Sequence, residues 1–240
     1  MNAKPDTAMV LAAGLGTRMR PLTDKMPKPL IPVAGKALLD YALDRFADAG
    51  VNRAIVNVHY LADQVEMHLS ERYAPEVIIS DERDLLLETG GGLKKARPHF
   101  GDAPVFCTNT DAILIDAAQE EACTSLSEAW RSSEMDALLL LVPIENTSGY
   151  DGKGDFNRNA DGRIALREGP TAPLVFTGLQ LISPALIDKG PEGLFSTRIL
   201  WDLAAAQGRL FGAVYKGDWM HVGDPQGLAA AEARLAAGRG

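Results

Sequence analysis

Residues 11 to 35 read LAAGLGTRMRPLTDKMPKPLIPVAG, and the run from Thr7 to Ala12 in front of them is short and apolar. That pattern predicts a strand buried on both faces. The strand leads straight into Gly14, Leu15, Gly16 and Thr17. Glycines here allow positive φ and a close approach to a ligand, so that successive N–H groups can face phosphate oxygens. A tight strand exit with no ligand uses the same residues, so the turn alone does not decide. The dinucleotide fingerprint fails because Met19 stands at its third glycine, and no Walker A loop exists because Gly35 and Lys36 are followed by Ala37. What strengthens the reading is Arg18, Arg20, Lys25 and Lys28 within eleven residues, interleaved with Pro21, Pro27, Pro29 and Pro32. The prolines restrict the backbone and hold the cations in place, where a solvated charged loop would leave them free. Arg18 can fork onto phosphate oxygens, and Lys28 can serve as a point charge on a second phosphate.

Outward from this stretch, apolar β-branched runs alternate with helical periodicity, the pattern of an α/β protein with a mostly parallel sheet covered by helices. Leu39, Leu43, Phe46 and Ala47 recur at helical spacing until Gly50, a C-cap. Strands follow at 53–58, 76–80, 105–109 and 136–142, with helices at 62–73 and 124–131 and another after the turn Gly90, Gly91, Gly92. Beyond Pro143, residues 146–162 are dense in Gly, Asp and Asn. The stretch of about 145–182 reads as a hairpin-rich insertion with short strands near 163–166 and 174–181. Ser196 is expected to cap a helix to about Gln207, 210–215 is a late strand, and Pro225 opens the last helix.

The chain has 240 residues, enough for one large domain with its own core, and 46% hydrophobic with 23% charged residues is ordinary globular composition. No apolar run approaches the eighteen or so residues of a membrane span, and nothing at the amino terminus reads as a signal peptide. Cys107 and Cys123 lie sixteen positions apart with no histidine at ligand spacing, which indicates neither a zinc site nor a disulfide framework. A cytoplasmic protein, monomer or homodimer, is expected. With 24 basic against 32 acidic residues the net charge is −8, which opposes binding to nucleic acid or anionic membranes. Any anionic ligand must be held by a local cluster of cations. His59, His68 and His99 lack metal spacing, and Asn146, Thr147, Ser148 matches a glycosylation pattern only by chance.

GLGTRMRPLT followed by PKPLIPVAGKALLDYALDRFADAG resembles the signature of the sugar-1-phosphate nucleotidylyltransferases, and the likeness runs over nearly the whole chain. The resemblance implies a single Rossmann-like domain of the nucleotide-diphospho-sugar transferase fold. A nucleoside triphosphate would be held by Ala13, Gly14, Gly16, Thr17 and Arg18, with Arg18 over the leaving pyrophosphate and Lys28 bridging the two reactants. It also implies Mg²⁺ at Asp111, which follows a strand end where ligands of open α/β sheets bind. Asp111 alone would as readily be a turn residue. The family's second metal carboxylate falls where this chain has His221, so either His221 coordinates less tightly, or Asp218 or Asp224 substitutes, or Asp111 carries the ion with phosphate and water. Histidine is a softer donor than Mg²⁺ prefers, and a hydrogen-bonded strand histidine is the plainer account. A sugar phosphate has a second pKa near 6 and needs no protein base to become a nucleophile.

Leu87, Glu88, Thr89, Gly90, Gly91, Gly92 corresponds to the family's base-reading turn, with Thr89, Gly90 and Gly91 beside the base and Asp81 or Glu82 as acceptor for a base N–H. The wording LLLETGGGL resembles the N-acetylmuramate 1-phosphate uridylyltransferases of bacterial peptidoglycan recycling. That likeness implies UTP and an N-acetylated sugar 1-phosphate as substrates, with Asn109, Gly154, Glu168 and Thr177 near the sugar. Glu168, Gly169, Pro170 stands where many relatives have Glu, Lys, Pro, so one lysine is missing; Arg167 or Lys28 could compensate. Other pairs remain open: GTP or dTTP with another sugar phosphate, CTP with phosphocholine, or a nucleotide-binding regulator of weak turnover. No hexapeptide repeat follows the transferase stretch, so no acetyltransferase activity is expected.

Overall fold

Continuous apolar runs become strands covered on both faces in the computed structural model, which describes residues 4–117 and 121–238. The chain runs through β1 (Thr7–Leu11), a small hairpin of β2 (Pro32–Val33) and β3 (Lys36–Ala37), and α1 (Leu38–Asp48). There follow β4 (Arg53–Val58), α2 (Ala62–Leu69), β5 (Glu76–Asp81), α3 (Glu88–Ala96), β6 (Val105–Asn109) and β7 (Ala112–Ile115). Next come α4 (Ala122–Ala129), β8 (Ala137–Pro143), β9 (Thr147–Ser148), β10 (Phe156–Arg158), β11 (Ile164–Leu166) and β12 (Leu174–Ile182). The last elements are α5 (Pro184–Asp188), α6 (Arg198–Ala206), β13 (Leu210–Val214), β14 (Asp218–His221) and α7 (Pro225–Ala237). No described helix is long and apolar enough to cross a membrane.

The main sheet has the order β13-β8-β12-β6-β1-β4-β5, with the β10–β11 hairpin joined to the start of β12. Every neighbour pair on that path is parallel except β12, which is antiparallel to both β6 and β8. Alternation along the strands divides the core in two. Ala8, Val10, Leu138, Leu140 and Val142 face a layer containing Phe46 of α1, Val65 of α2 and Leu126 of α4. Met9, Leu139 and Leu141 face Leu93 of α3, Leu186 of α5 and Leu200 of α6. Burial on both sides is the physical reason why these strands are apolar without interruption.

Three features differ from the expectations. Leu174–Ile182 is no part of an insertion: it is an interior, antiparallel strand of the main sheet, and the β10–β11 hairpin extends that sheet from its start. A second sheet, β7-β14-β9, was not legible, because each strand has four residues or fewer. α4 begins at Ala122, since the Glu121 carboxylate accepts from the amides of Cys123 and Thr124. Ser196 does cap the start of α6: its Oγ accepts the Arg198 amide at 3.3 Å and its carbonyl the Ile199 amide at 3.0 Å, while Thr197 is bonded to Thr89 Oγ1.

The glycines at 90–92 also differ, lying inside α3 and not in a turn before it. A Cβ at Gly90 would stand 2.4 Å from the Phe195 ring, and one at Gly91 2.3 Å from Gly193 O. Their amides both donate to Phe195 O, at 2.9 and 3.0 Å. The small residues let the segment before α6 cross the first turn of α3. Gly90→Ala is therefore expected to lower stability by about 1–3 kcal/mol through overpacking, visible as an earlier midpoint in urea with an unchanged slope.

Candidate active site

Strand order reverses at β1: the chain runs outward through β4 and β5, then returns to pair β6 on the other side of β1. Loops leaving the carboxyl ends of β1 and β6 diverge there, and ligands of open α/β sheets sit in such a crevice. A cleft of about 450 Å³ opens at this place. Ala13, Gly14, Gly16, Thr17 and Arg18 form one wall, and Lys28, Asn109 and Asp111 also line it. The glycine loop is thus brought to Asn109 and Asp111, 91 positions from Arg18 to Asn109 and 98 from Ala13 to Asp111, by a single strand reversal.

The cationic loop is held from below. Met19 is fully buried in a small core of its own with Ile31, Val33, Ile113 of β7, and Met220 and Val222 at β14. Gly16 takes φ +63, and a Cβ there would lie 2.9 Å from both Lys28 Cβ and Thr23 Cγ2. Thr23 donates its hydroxyl to Gly16 O at 2.8 Å. Gly16 therefore brings the loop against Lys28. Gly14 was expected to use positive φ as well, yet only Gly16 of the two does so; Gly14 has open space at its Cβ position.

Lys28 Nζ donates to Asp111 Oδ2 at 3.1 Å, with the two side chains only 12% and 24% exposed. Burial acts to raise the Asp111 pKa, but the Lys28 ammonium and the charges around it hold the carboxyl below its ordinary value. β14 brings in His221, because Val222 N donates to Asp111 O at 2.8 Å and His221 pairs in register with Ala112. The imidazole stacks on Trp219 and packs over Gly223, whose Cβ position lies 2.2 Å from His221 Nε2. His221 Nδ1 is buried with no hydrogen-bond partner. Burial, with Lys28 and Arg18 nearby, pushes this histidine below its usual pKa in spite of Asp111. Asp224 is spent on α7, accepting the Gly227 amide at 2.8 Å, and Asp218 pairs with Arg234. No group of three or more metal-capable side chains occurs among the described residues.

The wall opposite the glycine loop carries Leu86, Glu88, Thr89 and Ser196. Glu88 holds φ +60, unusual for a residue other than glycine. Gly90 and Gly91 lie behind this wall with their amides taken by Phe195, and do not line the cleft. Asp81 is bound to Arg83, and Glu82 is buried with both oxygens engaged, so neither lines it. On the β6 side, Asn109 lies 3.4 Å from the Cβ position of Gly178. Thr177 is buried and donates to Leu140 O at 3.0 Å, Gly154 abuts Ala172 O, and Glu168 is exposed on the hairpin; none lines the cleft. Asn57 does line it and was missed from sequence, as a lone Asn inside a strand carries no spacing signal.

The sign of the His221 shift makes a prediction. Its folded pKa lies below the ordinary 6.5, so the native state binds fewer protons than the unfolded chain. Stability contributed by this group is present above pH 6.5 and is lost as pH falls towards the folded value. His221→Gln is expected to flatten the decline of unfolding free energy below pH 6.5 in metal-free protein. Urea titrations across that range check it; an unaltered slope removes the account.

Residues 7–174 match the nucleotidyl transferase family. The chain is 49% identical to the N-acetylmuramate alpha-1-phosphate uridylyltransferase of Caulobacter vibrioides, over 98% of this chain and 99% of that protein. It is 35% identical to the protein of the same name from Neisseria meningitidis, over 90% and 92% of the two chains. A solved UDP-glucose pyrophosphorylase complexed with UDP-glucose superposes with a TM-score of 0.79, covering 98% of this chain and 100% of that one, at 15% identity. The strand reversal, the loop after β1 and the paired Lys28 and Asp111 thus stand in a chain that belongs to the nucleotidyl transferase family.

Proposed function

We propose that the chain transfers a uridylyl group from UTP to N-acetylmuramic acid 1-phosphate, giving UDP-N-acetylmuramic acid and pyrophosphate. The observation that carries this reading is the close pair of Lys28 and Asp111, 3.1 Å apart on the wall of a cleft that Arg18 also lines. Likeness to the Caulobacter vibrioides uridylyltransferase over 98% of this chain and 99% of that one supports the choice of substrates.

The reaction needs no general base, because the sugar phosphate is largely dianionic at neutral pH. Its oxygen attacks the α-phosphorus of UTP, the α–β bridging P–O bond breaks, and pyrophosphate departs with the negative charge. What the protein must supply is alignment and neutralisation of that charge. Amides of Gly14 to Thr17 and the Arg18 guanidinium would hold the triphosphate. Lys28 would lie between the sugar phosphate and the α-phosphate, fixed there by Gly16 and Thr23. Thr89 and Glu88 present polar side chains on the base side, where Gly90 and Gly91 are already committed, and Asn109 faces the sugar.

The donor set also fits a divalent cation of the hard kind. Asp111 supplies the one carboxylate that such an ion needs when it takes its remaining ligands from phosphate oxygens and water, whereas His221, with a buried nitrogen without a partner, is a softer donor than it prefers. Mg²⁺ bound at Asp111, with His221 beside it, would neutralise charge on the phosphate groups. The setting we propose is the cytoplasm, with the product feeding peptidoglycan recycling.

Pyrophosphate release is expected with UTP and N-acetylmuramic acid 1-phosphate, and to stop when divalent cations are chelated. Lys28→Ala and Asp111→Ala should each lower kcat by roughly 10²- to 10³-fold, with unchanged circular dichroism. Near-normal turnover in both variants would remove the mechanism.

A further inference from the structure

A buried chain of hydrogen bonds runs from one wall of the cleft to the other, and no nucleotide contact described above uses it. The Ala12 amide, just before the glycine loop, donates to Asn57 Oδ1 at 2.7 Å. Asn57 Nδ2 donates to Glu82 Oε1 at 2.8 Å, and Glu82 Oε2 accepts the Leu87 amide at 3.1 Å. Asn57 is 3% and Glu82 1% exposed. Gly92 leaves the space for them, since a Cβ there would lie 2.9 Å from Asn57 Nδ2 and from Glu82 Oε1. Leu87 sits between Leu86 and Glu88, which both line the cleft, as Asn57 does. One end of the relay is therefore backbone where the phosphate wall begins, and the other is backbone in the middle of the facing wall.

The donors and acceptors are directional. Ala12 N–H fixes which way round the Asn57 amide lies, and this turns its NH₂ towards Glu82; Glu82 must then accept on both oxygens. A well-packed apolar pair would fill the same volume with less desolvation, but it would offer no acceptor to either amide and would hold neither loop in register. Each link spans distant sequence, 45 positions from Ala12 to Asn57 and 25 from Asn57 to Glu82.

We infer that Asn57 and Glu82 are positioning residues that set the separation of the two walls and thereby the affinity for a nucleotide that must touch both. This rests on the proposal that the cleft is the nucleotide site. The directions supply a test by exchange. In Glu82→Gln one acceptor becomes a donor, so either Asn57 Nδ2 or the Leu87 amide faces another N–H. In Asn57→Asp two carboxyl groups meet in a buried contact. In the double variant Asn57→Asp/Glu82→Gln every donor regains an acceptor. The new carboxylate at position 57 accepts from Ala12 and from the new amide at position 82, whose oxygen accepts from Leu87.

Calorimetric titration of wild type and the three variants with UTP, and with inorganic pyrophosphate as a probe of the phosphate wall alone, measures the effect. Glu82→Gln is expected to weaken UTP roughly tenfold, the scale of one lost buried hydrogen bond, and to leave pyrophosphate unchanged. The double variant should recover most of that loss. If Asn57→Asp does not fold, Glu82→Gln and the double variant decide the matter. Wild-type affinity in Glu82→Gln, a double variant no better than Glu82→Gln, or equal weakening of UTP and pyrophosphate each overturns the relay. If the wild type binds another nucleotide in place of UTP, the uridylyl reading fails, and the same titrations with that nucleotide decide the relay. A wild type that binds no nucleotide overturns both.

Discussion

The reversal of strand order at β1 is the constraint on which the site depends. Parallel strands joined by crossover helices all deliver their carboxyl ends to one edge of the sheet. Where two successive crossovers leave in opposite directions, the loops cannot close over each other and a crevice remains. Here it lies between β1 and β6, so the glycine loop and Asp111 face one another although 97 positions separate Gly14 from Asp111. β4 stands on the other side of β1 and contributes Asn57 one residue before its end. The antiparallel β12 then shields β6, with the bend at Gly178 set against Asn109.

A crevice alone would not hold a cationic loop in an acidic protein. The loop is fastened mechanically by Met19, buried against Met220 and Val222, and electrostatically by the ion pair of Lys28 with Asp111. The second sheet is what makes both possible: β14 supplies the apolar platform under Met19 and also places His221 beside Asp111. A partly buried pair of this sort gains less from attraction than its distance suggests, because both charges lose hydration. Its consequence is that neither the lysine nor the carboxylate is free to wander from the cleft wall.

Legibility in the sequence followed the range of the interactions. Strand positions came through because a strand buried on two faces must be apolar throughout, as at Thr7–Leu11 and Ala137–Pro143. Arg18 and Lys28 stood out because cations fixed by prolines are unusual locally, and Asp111 only through the family resemblance; all three line the cleft. The short strands of the second sheet did not, since two to four residues carry no measurable period. Gly90 and Gly91 misled, because glycine marks a flexible turn and a crowded helix contact with the same letter; only Phe195, more than a hundred positions away, tells them apart. Asn57 and Glu82 were invisible or misread for the same reason, as each is defined by partners on other elements.

The sequence by itself determined the alternation of elements, the two-sided burial of the sheet and the chemistry of the loop after β1, all of which are local properties of composition and spacing. The tertiary structure alone decided that Leu174–Ile182 would run antiparallel in the interior of the sheet. It alone decided which candidate residues reach the cleft and which are spent on packing. The physical reason is that hydrogen-bond partners and close steric contacts belong to pairs of residues brought together by chain crossings, and such pairs leave no periodic trace along either segment.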